Sequence, residues 1–535
     1  MKRISVRRVA SVIVTAMAMT LVFATLGWAM MPQWNTRPYT KHIVIASADT
    51  TITPAHANIP HEGRYRTRET RLSIKTGDGV TLPAVLREPV GAPGPRPACL
   101  FIHGSGTSGA EDFGDIANAM ASAGIVTLVP AKRNDNYTVL HRDYPRFARE
   151  YGRSLDVLRG RIGVDPAKTG IYAESEGTWI ATILTSKRQD IAFAVLTSAP
   201  VFNGREQMAM AMAVSAYTHE AGAPKPVVKD MAKLMSLDYA PFDLAYADFD
   251  ADRYLKSLTM PVLVNYGTYD TAMPIEQGAQ RIIATANKSG NENVTVRYFA
   301  GNHQMRAGEG LFTPNLPLAE GYTQALENWV NGVTAGTKAD GWATPQVAGA
   351  TPHQRFAASQ RTRSGIVGSL GVLAGLMVAG PVLIVMAAIL GIGLTVFSWL
   401  QTLLAGRRSV ATVRAVHATP SELGAAQRRM LHGIAGLSAG IGTAVMVITG
   451  LLYGYMSAVG VSAVLVMPQP RLFAVGWVVL RIATMLLVVL FAWEMERVWY
   501  CRADIVGVRR VICVMVALGT LATLMTLAFW GLFSL

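Results

Sequence analysis

The pattern of apolar and polar positions divides the chain into three stretches. Positions 9–31 hold 23 residues without a charge, enough to cross a bilayer core about 30 Å thick. From 68 to 333 short β-rich runs alternate with helical stretches, the signature of a sheet covered by crossover helices. Eight runs are predicted as strands: 71–75, 81–87, 98–102, 125–129, 169–173, 192–197, 262–266 and 295–299. Gly77-Asp78-Gly79 supplies turn chemistry between the first two, so the sheet should open on an antiparallel hairpin and continue parallel. An insertion at 201–260, rich in Met (Met208, Met210, Met212, Met231, Met235) and aromatics, interrupts the alternation. Insertions of that size are usually functional. This one reads either as a cap whose thioethers shape an acyl pocket or as a cap packed on its own small core. After a Gly, Ala, Thr and Gln-rich linker at 334–364 come four long apolar runs: 365–406, 431–467, 472–493 and 511–535. We read them as four spans, with a hairpin at Gly380-Pro381 as the alternative for the first.

A length of 535 residues exceeds what one core usually fills, so at least two units are expected. With 51% hydrophobic and only 16% charged residues, disorder and a polar binding tail are excluded. The net charge of +14 could suggest a nucleic-acid partner, but its distribution argues against one. Lys2, Arg3, Arg7 and Arg8 precede the first apolar run without an acid, and 365–535 holds eleven Arg, no Lys and four acids. The polar middle is therefore close to neutral, and the excess charge flanks apolar runs, where it orients a membrane protein. Single spans put Arg407, Arg408, Arg414, Arg428, Arg429, Arg497, Arg502, Arg509 and Arg510 on the side of the basic N-terminus, with Arg355, Arg361 and Arg363 as exceptions. The first run is read as an uncleaved anchor, the alternative being a signal cleaved near Gly27-Trp28-Ala29; either way 32–333 is exported. Cys99, Cys501 and Cys513 cannot form a disulfide framework and are assigned no role.

The chemistry-bearing residues cluster at strand ends. The fifth predicted strand, 169–173, runs into Glu174-Ser175-Glu176-Gly177 and a helical stretch. A serine on such a turn exposes its hydroxyl at the sheet's C-terminal edge; a simple helix-capping serine is the alternative. Strand 98–102 ends in His103-Gly104-Ser105-Gly106, where an N–H of Gly104 or Ser105 and that of Glu176 could converge on an oxyanion. Residues 104–109 also match G-x-G-x-x-G, but the next strand ends in Lys132-Arg133, not the acid a dinucleotide site needs. A serine needs an imidazole to take its proton and a carboxylate to hold that imidazole. Asp270 follows strand 262–266 and His303 follows strand 295–299, the chain order Ser, Asp, His. Metal-ligand and nucleotide-triphosphate motifs are absent from the sequence, so no cofactor and no metal are expected.

Taken together, Gly301-Asn302-His303, His103-Gly104-Ser105-Gly106, Ser175-Glu176-Gly177 and the stretch 261–270 resemble the bacterial α/β-hydrolase superfamily, especially its exported esterases and serine-aminopeptidase-like members. The likeness covers 68–333. This sequence has Ala173-Glu174 where those motifs have Gly-His, and Thr178 where they have a second Gly. The resemblance implies an α/β-hydrolase sheet with a cap, here joined to an N-terminal membrane helix at 1–31, a lead-in at 32–67 and an all-α transmembrane bundle at 365–535. The expected function is a membrane-anchored serine hydrolase acting on acyl esters, with Ser175, His303 and Asp270 as its triad, small-molecule or lipid esters as substrates, and membrane lipids around it. A peptidase or amidase with the same triad, and a non-catalytic membrane sensor, are the alternatives. Three Gly-x-x-x-Gly pairs (Gly371/Gly375, Gly436/Gly440, Gly450/Gly454) suit close packing between spans, within the chain before between copies. Arg481, in mid-span with no acid expected beside it, is either functional or bonded to carbonyls of a neighbouring span.

Overall fold

The computed structural model describes residues 6–30, 37–77, 79–138, 141–218, 222–240, 244–310, 313, 315–358, 365–408, 422–465 and 469–534. Lys2, Arg3, Asp78, Arg361, Arg363 and Arg414, singled out in the sequence, lie outside the described residues. The strands are β1 (Arg66–Lys75), β2 (Thr81–Val90), β3 (Arg96–Ile102), β4 (Val126–Pro130), β5 (Val164–Glu174), β6 (Ala194–Thr197), β7 (Val262–Gly267), β8 (Val294–Phe299) and β9 (Val347–Gly349). Among them run α1 (Val6–Ala29), α2 (Gly114–Ser122), α3 (Tyr144–Arg159), α4 (Gly177–Lys187), α5 (Gly204–Thr218), α6 (Lys225–Met231), α7 (Asp252–Leu255), α8 (Ile275–Lys288) and α9 (Tyr322–Thr334). Four long helices follow: α10 (Leu370–Arg408), α11 (Glu422–Leu465), α12 (Pro470–Tyr500) and α13 (Val508–Phe529).

The strands form one sheet in the order β1-β2-β4-β3-β5-β6-β7-β8-β9. β1–β2 and β2–β4 pair antiparallel, and every pair from β3 onward is parallel. The sheet thus has nine strands where eight were expected. The ninth comes from the stretch read as a linker: Val347-Ala348-Gly349 pair with β8, and a positive φ of 111° at Gly349 lets its backbone lie against Tyr298.

Alternation along the central strands explains the two helical layers. Ala98, Leu100 and Ile102 of β3 face α3, α4 and α8, while Cys99 and Phe101 face α2 and α9. With helices on both faces, neither side of a strand meets water, and the central runs are apolar throughout. α3 starts where the Asp143 carboxylate accepts the Arg146 N–H, a capping bond worth about 1 kcal/mol.

α1, α10, α11, α12 and α13 are each long and apolar enough to cross a membrane. α10 runs unbroken through Pro381, so no hairpin forms there. The Gly-x-x-x-Gly expectation needs correcting: a Cβ at Gly375, Gly436, Gly440, Gly450 or Gly454 would meet nothing within 4 Å. The close approach occurs between α10 and α13 instead, where a Cβ on Gly380 would overlap Thr523 and one on Gly519 would press on the Gly380 carbonyl at 3.1 Å. Arg481 donates to the Ser534 carbonyl oxygen. α12 also continues past the apolar run, so Glu494 lies inside the helix bundle, fully buried and accepting a hydrogen bond from Ser438; the sequence pattern had ended that span one residue earlier.

The insertion packs in two directions: Val201, Phe202, Met210, Ala251, Leu255 and Leu258 join the core cluster shared by the sheet, α3, α4 and α8, and a second set of residues joins the long apolar helices. Val227, Val228 and Leu237, with Met212, Met231 and Leu234, share one apolar cluster with α1, α10 and the Phe529–Phe533 end of α13. Lys233 pairs with Asp230 at 3.3 Å and donates to the Phe529 carbonyl at that helix's C-terminus. The Asp238 backbone exchanges bonds of 2.8 and 2.7 Å with Gly368 and Leu370. Of the five methionines, Met212 and Met231 pack with the long apolar helices and Met210 packs in the α/β core.

Candidate active site

Ser175 sits between the end of β5 and the start of α4 with φ at 54°, a left-handed conformation that non-glycine residues rarely keep without a compensating fold. The turn is held by the Ser175 N–H bonding the Thr197 carbonyl at 2.8 Å and by the Thr178 N–H returning to the Ser175 carbonyl at 2.9 Å. Gly177 is dictated by closeness: a Cβ would stand 2.6 Å from the Ile102 carbonyl oxygen and 2.7 Å from that of His103. Ala173 is accommodated on β5 with its side chain fully buried.

His303 comes from the loop after β8 and Asp270 from the loop after β7. The structure brings both to Ser175: His303 Nε2 is 2.9 Å from Ser175 Oγ, and His303 Nδ1 is 2.8 Å from Asp270 Oδ2. Asp270 Oδ1 accepts the backbone N–H groups of Ala272 and Met273 at 2.9 and 3.1 Å, which aims the other oxygen at the ring. Gly267 lets these loops meet, because a Cβ there would lie 2.2 Å from the Asn302 carbonyl and 2.3 Å from that of Gly301. Ser198, itself at φ 50°, donates to the His303 carbonyl at 2.6 Å. All three side chains are buried, Ser175 being 9% exposed. Burial opposes charging of His303, but the adjacent Asp270, through its charge and its hydrogen bond, together with Glu174, outweighs it and raises the imidazole's pKa.

Of the residues expected at an oxyanion pocket, Gly104 lies against Ser175, its Cβ position 3.0 Å from the Ser175 Cβ. The Ser105 and Glu176 N–H groups meet no backbone acceptor among the described residues. His103 faces inward, Nδ1 2.9 Å from the Tyr151 hydroxyl and Nε2 2.9 Å from the Gly109 carbonyl. Burial lowers its pKa to about 4, so it stays neutral and supports the loop.

The two glutamates beside Ser175 differ. Glu174 lines a cavity of about 370 Å³ with Asp112, Asp115, Gln304 and Arg306 among others. Burial pushes its carboxyl up to about 7, against the pull of His303 and Arg306. A cavity of about 390 Å³ beside Asn293 and Trp342 lies near the N-terminal end of β8, away from Ser175. Glu176, 2% exposed, pairs with Arg142 at 2.7 Å and accepts from the Tyr137 hydroxyl at 2.8 Å. Sequence reasoning missed Arg142, Tyr137 and Lys132 here, since all three come from an irregular stretch between β4 and α3. Arg133, the next residue after Lys132, is engaged by Asp135 and by Glu150 at 3.2 Å. Among the described residues no group of three or more His, Cys, Asp or Glu is arranged to hold a metal ion.

No family model matches the sequence and no curated protein matches it. Solved structures similar to the chain are α/β hydrolases. The Pyrococcus furiosus esterase Pf2001 is 17% identical with a TM-score of 0.34, over 47% of this chain and 90% of its own. Est1E from Butyrivibrio proteoclasticus is 15% identical with a TM-score of 0.33, over 49% and 96%. The α/β hydrolase GrgF from Penicillium sp. sh18 is 12% identical with a TM-score of 0.32, over 44% and 91%.

Proposed function

We propose that the protein is a membrane-anchored serine hydrolase that cleaves acyl esters. The observation that carries this reading is the continuous relay from Ser175 Oγ through His303 to Asp270, with contacts of 2.9 and 2.8 Å. As Ser175 Oγ bonds to the acyl carbon, its proton passes to His303 Nε2 and the carbonyl π pair moves onto oxygen. That oxyanion is received by the N–H groups of Ser105 and Glu176. The proton then goes from His303 to the leaving alkoxide, and a water activated by the same imidazole releases the acid. Asp270 holds Nδ1 protonated throughout.

The hydrolase domain is assigned to the extracytoplasmic side. The end of α1 lies beside Gly365 ahead of α10, and the end of α13 meets the insertion. Arg8 at the other end of α1 stacks on Tyr500 at 4.5 Å, near Arg497 and Arg502, so basic residues gather opposite the hydrolase domain. A second reading, amide or peptide cleavage, draws on the acidic cavity beside Glu174, which would suit an amine. Purified protein tested on acyl esters and matched aminoacyl amides decides between them. We expect ester turnover to dominate and Ser175→Ala to lower it by roughly 10⁶-fold; amide turnover above ester turnover would favour the second reading, and no loss in Ser175→Ala would end both.

A further inference from the structure

A buried ammonium stands behind the loop that would receive the oxyanion. Lys132 follows β4, is 4% exposed, and its Nζ donates to the Gly104 carbonyl oxygen. Its backbone N–H bonds the Ser108 carbonyl at 2.8 Å, so one residue fixes the 104–108 loop at both ends. The ammonium lies 4.3 Å from the centre of the Tyr137 ring and 5.8 Å from that of Phe147. Gly104 has little room to shift, since its Cβ position is 2.9 Å from the Glu174 carbonyl and 3.0 Å from the Ser175 Cβ. The Gly104 carbonyl and the Ser105 N–H belong to one peptide group, and in a trans peptide they point in opposite directions. Anchoring the carbonyl on Lys132 therefore directs that N–H away from Lys132. A cation on the carbonyl also polarises the amide, and hydrogen bonds in series strengthen one another.

We propose that Lys132 is a positioning residue, which sets the Gly104–Ser105 peptide with its N–H turned toward the nucleophile and strengthens it as the oxyanion's donor. This rests on Ser175 being the nucleophile. Lys132 transfers no proton; its charge acts through the peptide as negative charge grows on the substrate oxygen. The groups facing it are Glu176, Arg142, Tyr137 and, across the loop, His103. Burial lowers its pKa to about 8, opposed by Glu176 and reinforced by Arg142, so the ammonium is lost as pH rises above that value.

The test uses the full-length protein in detergent micelles, with p-nitrophenyl butyrate as substrate and a fluorophosphonate as inactivator, for wild type, Lys132→Met, Lys132→Arg and Ser175→Ala. We expect Lys132→Met to lower kcat and the inactivation rate by about 10²-fold with KM little changed. Lys132→Arg, whose guanidinium stays charged, should recover part of the loss. Wild type should lose activity above about pH 8, and Lys132→Arg should extend the profile upward. Wild-type rates in Ser175→Ala would reject the nucleophile itself. An inert Ser175→Ala beside a Lys132→Met at wild-type rates would overturn the role of Lys132 alone. Should Lys132→Met lack a thermal unfolding transition, the pH profiles decide: the same alkaline limb in wild type and Lys132→Arg, or none in wild type, overturns it.

Discussion

Ser175, His303 and Asp270 come from three loops separated by as much as 128 positions. Each was legible because it occupies the loop following a readable strand. Lys132 was not: its partner is a backbone carbonyl, which leaves no trace in sequence. Asp270→Asn should keep the fold but favour the wrong imidazole tautomer, lowering kcat by roughly 10⁴-fold, as steady-state kinetics would measure. His303 must be neutral to accept the serine proton. Since Asp270 and Glu174 hold its pKa above the ordinary 6.5, kcat/KM should fall as pH drops through a midpoint above 6.5 in wild type. A midpoint below 6.5 would contradict that electrostatic picture.

Among the elements, the strands were the most readable because burial on both faces makes their runs continuously apolar. β9 was not readable: three residues in a Gly and Ala-rich stretch carry no pattern, and its position depends on the β8 edge it joins. Two glycines carry the geometry between elements. At Gly177, α4 approaches the β3 end; at Gly267, the loops bearing Asp270 and His303 cross. Gly267→Ala would insert a methyl 2.2 Å from the Asn302 carbonyl and should destabilise the domain by about 1–3 kcal/mol, read as a lower unfolding midpoint. Because the strain falls between the base and its carboxylate, esterase activity at temperatures where the variant remains folded should also drop. Unchanged activity there would mean the crossing does not set the relay.

At the scale of the whole molecule, the long apolar runs announced the long apolar helices, but not how the α/β domain meets them. A run of methionines says that a face is buried without saying against what; here Met212 and Met231 meet the bundle and Met210 meets the α/β core, and Lys233 ties the insertion to the end of α13. Gly531 closes that joint, with φ at 75° and its Cβ position 1.9 Å from an Asp230 oxygen. Gly531→Leu should part the insertion from the bundle, speeding limited proteolysis within 222–240 while Ser175 still reacts with fluorophosphonate. Loss of both together would mean that docking also shapes the relay.

The central claim is that Ser175 is an activated nucleophile. Its most direct test is to treat the full-length protein with a fluorophosphonate and map the adduct by mass spectrometry. The account predicts one phosphonyl group on the tryptic peptide bounded by Lys168 and Lys187, at Ser175, and none after Asp270→Ala or His303→Ala on the same timescale. An adduct on another residue, or labelling at Ser175 that persists at the wild-type rate without His303, would contradict it.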